Sequence, residues 1–155
     1  MDQTHLHLLI THLPIYGSIL GALVLAYGLA TKSQHTANAA YLVLIISAIG
    51  GFIAKQTGEA AEETVENIKG ISEELINEHE EAADIALIAI IILGIISLIA
   101  ILANYRTWTF SNSMGWIALV VSLITFGIVA RTGYLGGQIR HTEINSTQAA
   151  PEKSN

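Results

Sequence analysis

Six histidines stand out in a chain that has no cysteine: His5, His7, His12, His35, His79 and His141. Neutral imidazole is the commonest side-chain metal ligand. The lack of cysteine excludes disulfides, thiolate ligands and the Cys-x-x-Cys-His attachment of a c-type haem. His7 and His12 open the first apolar stretch, His79 precedes the third, and His141 follows the fourth. Four-helix bundles build metal and haem sites from side chains on facing helices. His7, His12, His79 and His141 are therefore the candidate ligands. His12 directly borders an apolar run, and with His79 it makes the best axial pair by position. His7 and His141 form a second pair or a support, so one or two haems can be accommodated. His5 in the terminal tail and His35 in a distant loop are assigned no role.

Carboxylates offer a competing chemistry. Glu59, Glu62, Glu63 and Glu66 recur at three- and four-residue steps, and Glu78, Glu80 and Glu81 flank His79. Glu59, Glu63 and Glu78 joined to the histidines would make a mixed ligand set, which suits a zinc, iron or copper ion better than haem. The di-iron Glu-x-x-His spacing is absent, because Ile76 stands three residues before His79. Gly133, Gly136 and Gly137 leave room for a flat cofactor or another helix beside the backbone. Arg131 and Arg140 suit anionic groups such as haem propionates, or pair with the acidic connection. Gly17 and Gly21 read as ordinary helix packing. No Ser-His-acid or His-Glu-x-x-His pattern occurs, so no independent enzyme activity is expected.

The elements that must position these residues are apolar helices. The 155 residues allow one domain, only 13% are charged, and 52% are hydrophobic. A soluble domain carries about 25% charged residues. The net charge of −6 argues against nucleic acid. Four stretches, 13–30, 37–54, 85–103 and 114–130, contain no charged residue. At 1.5 Å per residue each extends about 26–29 Å, close to the hydrocarbon thickness of about 30 Å. Nothing else in the chain could cover four helices that are apolar all round. The expectation is an all-α, up-down bundle of four transmembrane helices, with spans of about 10–31, 37–56, 82–104 and 113–135. The start has no basic region and no small-residue cleavage site, so the first stretch is taken as a retained helix.

The connection at 57–81 is long and acidic. Val65, Ile68, Ile71, Leu75 and Ile76 recur in it at helical steps. This predicts an amphipathic acidic helix between helices two and three, lying on the membrane surface or extending the third span. Gly58 and Gly70 are expected breaks. The polar segment 144–155 is expected to be a disordered tail.

Four spans place both termini and the long connection on one side, called side A. All 13 acidic residues and five of the six histidines fall there. Side B has the charges Lys32 and Arg106, and Tyr27, Tyr41, Tyr105, Trp108 and Trp116 as an expected interfacial belt. Its short, cationic, acid-free loops favour the cytoplasm, which puts side A and both termini in the periplasm.

These residues resemble the bacterial DUF2231 family of four-helix integral membrane proteins. Its opening motif appears as His7-Leu-Leu-Ile-Thr-His12-Leu-Pro14-Ile15. A Thr-Gly followed by small residues appears at Thr57-Gly58-Glu59-Ala60-Ala61, and a histidine opens the third helix at His79. The fourth helix ends in Thr132-Gly133-Tyr-Leu-Gly136-Gly137, followed by His141. The resemblance spans about residues 5 to 143. It implies a small haem-binding or redox module of the bacterial inner membrane, with relatives fused to c-type cytochrome segments. The leading expectation is a b-type haem protein that transfers electrons at the outer membrane surface, with a c-type cytochrome as a fitting redox partner. A non-haem His/Glu metal site and a structural subunit of a larger membrane complex remain open, as does a homo-oligomer.

Overall fold

The computed structural model describes residues 7, 9–65 and 73–140, with side chains placed at all of these except 59–65, 73, 139 and 140. They form four helices: α1 (His12–Ala30), α2 (Gln34–Val65), α3 (Glu73–Tyr105) and α4 (Ser111–Arg140). One helical turn from His7 leads into α1, closed by the Thr11 N–H donating to the His7 carbonyl at 2.9 Å. Pro14 falls in the first turn of α1, where a missing N–H costs least. Each helix packs on its chain neighbour, and α1 also packs on α4, so α1 and α3 face each other across the diagonal.

All four helices are long and apolar enough to cross a membrane. The core combines small residues, including Ala22, Ala40, Ala100, Ala103 and Ala118, with a few large ones such as Leu25, Tyr41, Leu44, Ile90 and Leu93, while Leu20, Ile46, Ile88, Ile95 and Ile124 point outward. That distribution suits a lipid solvent, where helices associate by close packing and large apolar side chains face the acyl chains. Gly28 shows how close the packing is. A Cβ built there would lie 2.8 Å from the backbone nitrogen of Ala37 on α2.

The two short connections share one design. Lys32 and Thr107 both adopt positive φ, at 54° and 52°. In the first, the Ser33 N–H donates to the Gly28 carbonyl and the Lys32 N–H to the Leu29 carbonyl. In the second, Trp108 donates to Ala103 and Thr107 to Asn104. Both are Schellman endings, which normally carry glycine at the left-handed position. Threonine is β-branched and strained there. Thr107→Gly is therefore expected to raise stability by about 0.5–1 kcal/mol, measured by denaturant unfolding in detergent. On the same side, the Asn104 amide donates to the Asn38 side chain at 2.8 Å, tying α3 to α2.

Two local expectations change. Gly58 is not a break: α2 runs through it to Val65. Of the acidic connection, 57–65 and 73–81 are the helical ends of α2 and α3, and 66–72 lie outside the described residues. Gly70 and the expected tail lie outside the described residues. Tyr41 does not join the side-B belt. It is buried in the core, 1% exposed, with its hydroxyl near Gly115 on α4. Tyr27, Tyr105, Trp108 and Trp116 are exposed, as an interfacial belt requires.

Candidate functional site

The side-A end brings two imidazoles into matched settings. His7, ahead of α1, has Nδ1 2.9 Å from the Ala54 carbonyl of α2. His79, near the start of α3, has Nδ1 3.1 Å from the Thr132 carbonyl of α4. A carbonyl only accepts, so each Nδ1 carries the proton and donates it. Each Nε2 then holds the lone pair, and neither has a hydrogen-bond partner among the described residues.

A glycine makes each contact possible. In a helix the carbonyl of residue i lies beneath residue i+4. Four residues beyond Ala54 is Gly58, and four beyond Thr132 is Gly136. A Cβ built on Gly58 would lie 2.9 Å from Cε1 of His7, and one on Gly136 would lie 2.9 Å from Cε1 of His79. The missing side chains leave the second lone pair of each carbonyl open to a donor from the neighbouring helix. The chain thus repeats one device in its two hairpins: an imidazole seated on a glycine, held by the carbonyl one turn before it.

Threonines brace both seats. The Thr57 hydroxyl donates to the Ile53 and Ala54 carbonyls and lies 3.3 Å from His7 Nδ1. The Thr132 hydroxyl donates to Ala82 of α3 and to Ile128 of its own helix, each at 3.1 Å. Between the seats, Lys55 pairs with Asp84 at 2.7 Å and reaches Glu80 at 3.9 Å, so α2 and α3 are bridged. His7 and Lys55 both lie within electrostatic range of His79.

Burial holds the His7 pKa below its ordinary 6.5, and the hydrogen bond to Ala54 only partly offsets this. The folded state therefore binds a proton less readily than the unfolded chain. The stability gained by keeping His7 neutral is complete above pH 6.5 and is lost as pH falls towards the lowered folded value. Thermal midpoints of wild type are expected to drop more steeply between pH 7 and pH 5 than those of His7→Asn. Equal slopes would contradict this.

The other candidates are placed differently. His12 is exposed on α1, its ring stacked on Tyr16 at 6.1 Å, a setting unlike that of His7 and His79. Glu78 and Arg131 are exposed. A Cβ on Gly133 would lie 2.8 Å from a methyl of Ile15, while one on Gly137 would meet nothing. The side chains of Glu59, Glu63 and Arg140, and the whole of His141, lie outside the described residues. Among the described residues no three His, Cys, Asp or Glu side chains cluster to hold a metal ion. Spacing alone did not assign Ala54, Thr57, Gly58, Thr132 or Lys55 a part at this end. Thr57-Gly58 was a signal for the first seat only, because in Thr132-Gly133 the glycine packs on Ile15 and the second seat is Gly136.

A family model described as a predicted membrane protein, DUF2231, matches residues 3–144. No curated protein matches the chain. No solved structure matches it.

Proposed function

The chain belongs to the DUF2231 family of predicted membrane proteins, and from that starting point we propose that it is a b-type haem protein transferring electrons at the side-A membrane surface. The observation that carries this reading is the matched pair of seats for His7 and His79 on diagonal helices. Histidines that ligate metals characteristically donate their other ring N–H to a carbonyl or carboxylate, which fixes the tautomer and aims the free nitrogen. Both imidazoles have that arrangement. Two imidazoles with no third donor clustered beside them among the described residues suit haem iron, whose remaining ligands come from the porphyrin. A bare zinc or iron ion asks the protein for three or four ligands, and no such cluster occurs among the described residues.

In this reading His7 and His79 would hold the iron, and the exposed Arg131 would be available to an anionic propionate. The haem, when bound, supplies the one-electron chemistry. The protein contributes fixed tautomers, a half-buried setting and a seal of apolar helices. The acid-free side-B loops carrying Lys32 and Arg106 favour the cytoplasm, which puts the site in the periplasm of the inner membrane. A soluble redox protein such as a c-type cytochrome is the fitting partner there.

The test is the visible spectrum of detergent-purified protein, oxidised and dithionite-reduced. A sharp reduced α-band of the b type is expected. A colourless preparation with stoichiometric zinc, iron or copper would overturn the reading in favour of a metal site. Absence of both would leave a structural subunit.

A further inference from the structure

The buried apolar residues fall into two separate groups. The one nearer side A holds Ala86, Ile90 and Val129, with Ile15 and Ala48 against it. The deeper one is built around Leu25, Tyr41, Leu44, Leu93 and Ala118. Hydroxyls occupy the level between them. Ser18 is one turn from Ile15, Ser47 is beside Ala48, and Thr125 is one turn from Val129. Ser47 and Thr125 each stand eleven residues from their histidine-seat glycines, Gly58 and Gly136. Both therefore lie about 16 Å below the seats, at matching positions in the two hairpins.

The hydroxyls at this level behave unequally. Ser18 donates to the Ile15 carbonyl of its own helix at 3.0 Å, as hydroxyls in apolar helices commonly do. Ser47 and Thr125 are 0% and 1% exposed, and neither side-chain oxygen has a partner among the described residues. Ser47 faces α1, where its hydroxyl and Cβ occupy the space that a Cβ on Gly17 would need. A buried hydroxyl without a partner is costly, most of all in a hydrocarbon environment where bulk water cannot serve it.

We infer that this level is an internal site for ordered water, bound by Ser47 of α2 and Thr125 of α4, with Ser18 of α1 as a further acceptor. A buried water needs two to four polar partners, and three helices supply them here. The apolar groups above and below seal the site, so the water is held and not conducted. It serves two of the three buried hydroxyls that have no partner among the described residues, the third being Ser97 of α3, and links the hairpins at mid-membrane. The inference does not depend on haem.

The experiment is water-to-amide magnetisation transfer by NMR on the full-length, isotope-labelled protein in lipid nanodiscs. Long-lived water signals are expected at the amides of Ser47 and Thr125 and not at Ile90. Both signals should vanish in the Ser47→Ala/Thr125→Val double variant and persist in Thr125→Ser. Wild-type protein with no signal at residues 47 and 125 would overturn the inference, even if the double variant fails to fold. So would signals that persist in a folded double variant.

Discussion

His7→Ala and His79→Ala are each expected to abolish the reduced α-band of the purified protein, while His12→Ala and His35→Ala leave it intact. The contrast follows from the settings of the four rings. His7 and His79 are each anchored through Nδ1 to a carbonyl of a neighbouring helix, which leaves Nε2 to coordinate. His12 is stacked on Tyr16 at an exposed position on α1, and His35 lies at the opposite end in α2. If the proposed haem is bound, losing one of these imidazoles would remove a ligand outright, a larger effect than the 10–100-fold changes that follow loss of an outer-shell partner. The measurement is the reduced-minus-oxidised spectrum per mole of protein, with circular dichroism to show that the helices persist. An undiminished band in both His7→Ala and His79→Ala would reject the assignment. A band lost in His12→Ala instead would move the site to α1's outer face.

Gly58→Val and Gly136→Val are expected to be the most damaging changes that leave every candidate ligand in place. A Cβ at either position already meets an imidazole at 2.9 Å, closer than real Cβ contacts allow, and valine adds two methyls. The ring must leave its seat and forfeit its hydrogen bond to the carbonyl one turn back. Overpacking of this kind costs about 1–3 kcal/mol, and here it also frees the tautomer. Each variant should unfold at lower denaturant and lose haem occupancy by at least about tenfold, the low end for removing such support. Gly137→Ala is the internal comparison. A Cβ there meets nothing, so better helix propensity should stabilise the protein by about 0.5–1 kcal/mol with the spectrum unchanged. Equal losses in Gly137→Ala and Gly136→Val would mean that the glycines serve helix flexibility and not the seats.

The histidine-seat glycines also show where pattern reading stops. Gly58 looks like a helix break because glycine is a poor helix former and follows Thr57 at the edge of an apolar run. Propensity is weighed one segment at a time, and the reason for this glycine lies on another helix: the His7 ring that occupies the space of its missing Cβ. Tyr41 is a similar case. Its position near the end of a span fits an interfacial belt, yet it points inward, because which face of an apolar helix turns to its neighbours is invisible when both faces are apolar. His12 borders the membrane closely, but closeness in depth does not fix the direction of a side chain around the helix axis.

The sequence by itself determined the membrane setting, the four spans, their up-down order and the gathering of acids and histidines at one end. Those properties follow from run lengths, composition and parity, which need no knowledge of contacts. Only the tertiary structure decided that His7 and His79 have like settings, that their partners are the carbonyls of Ala54 and Thr132, and that Gly58 and Gly136 make those contacts possible. The physical reason is that a hydrogen bond from a side chain to a distant backbone carbonyl leaves no mark on the carbonyl's own residue. Ala54 carries no sign in its side chain of what its backbone does. The mark falls one turn further on, as an absent Cβ, and it acquires meaning only when the helices are brought together.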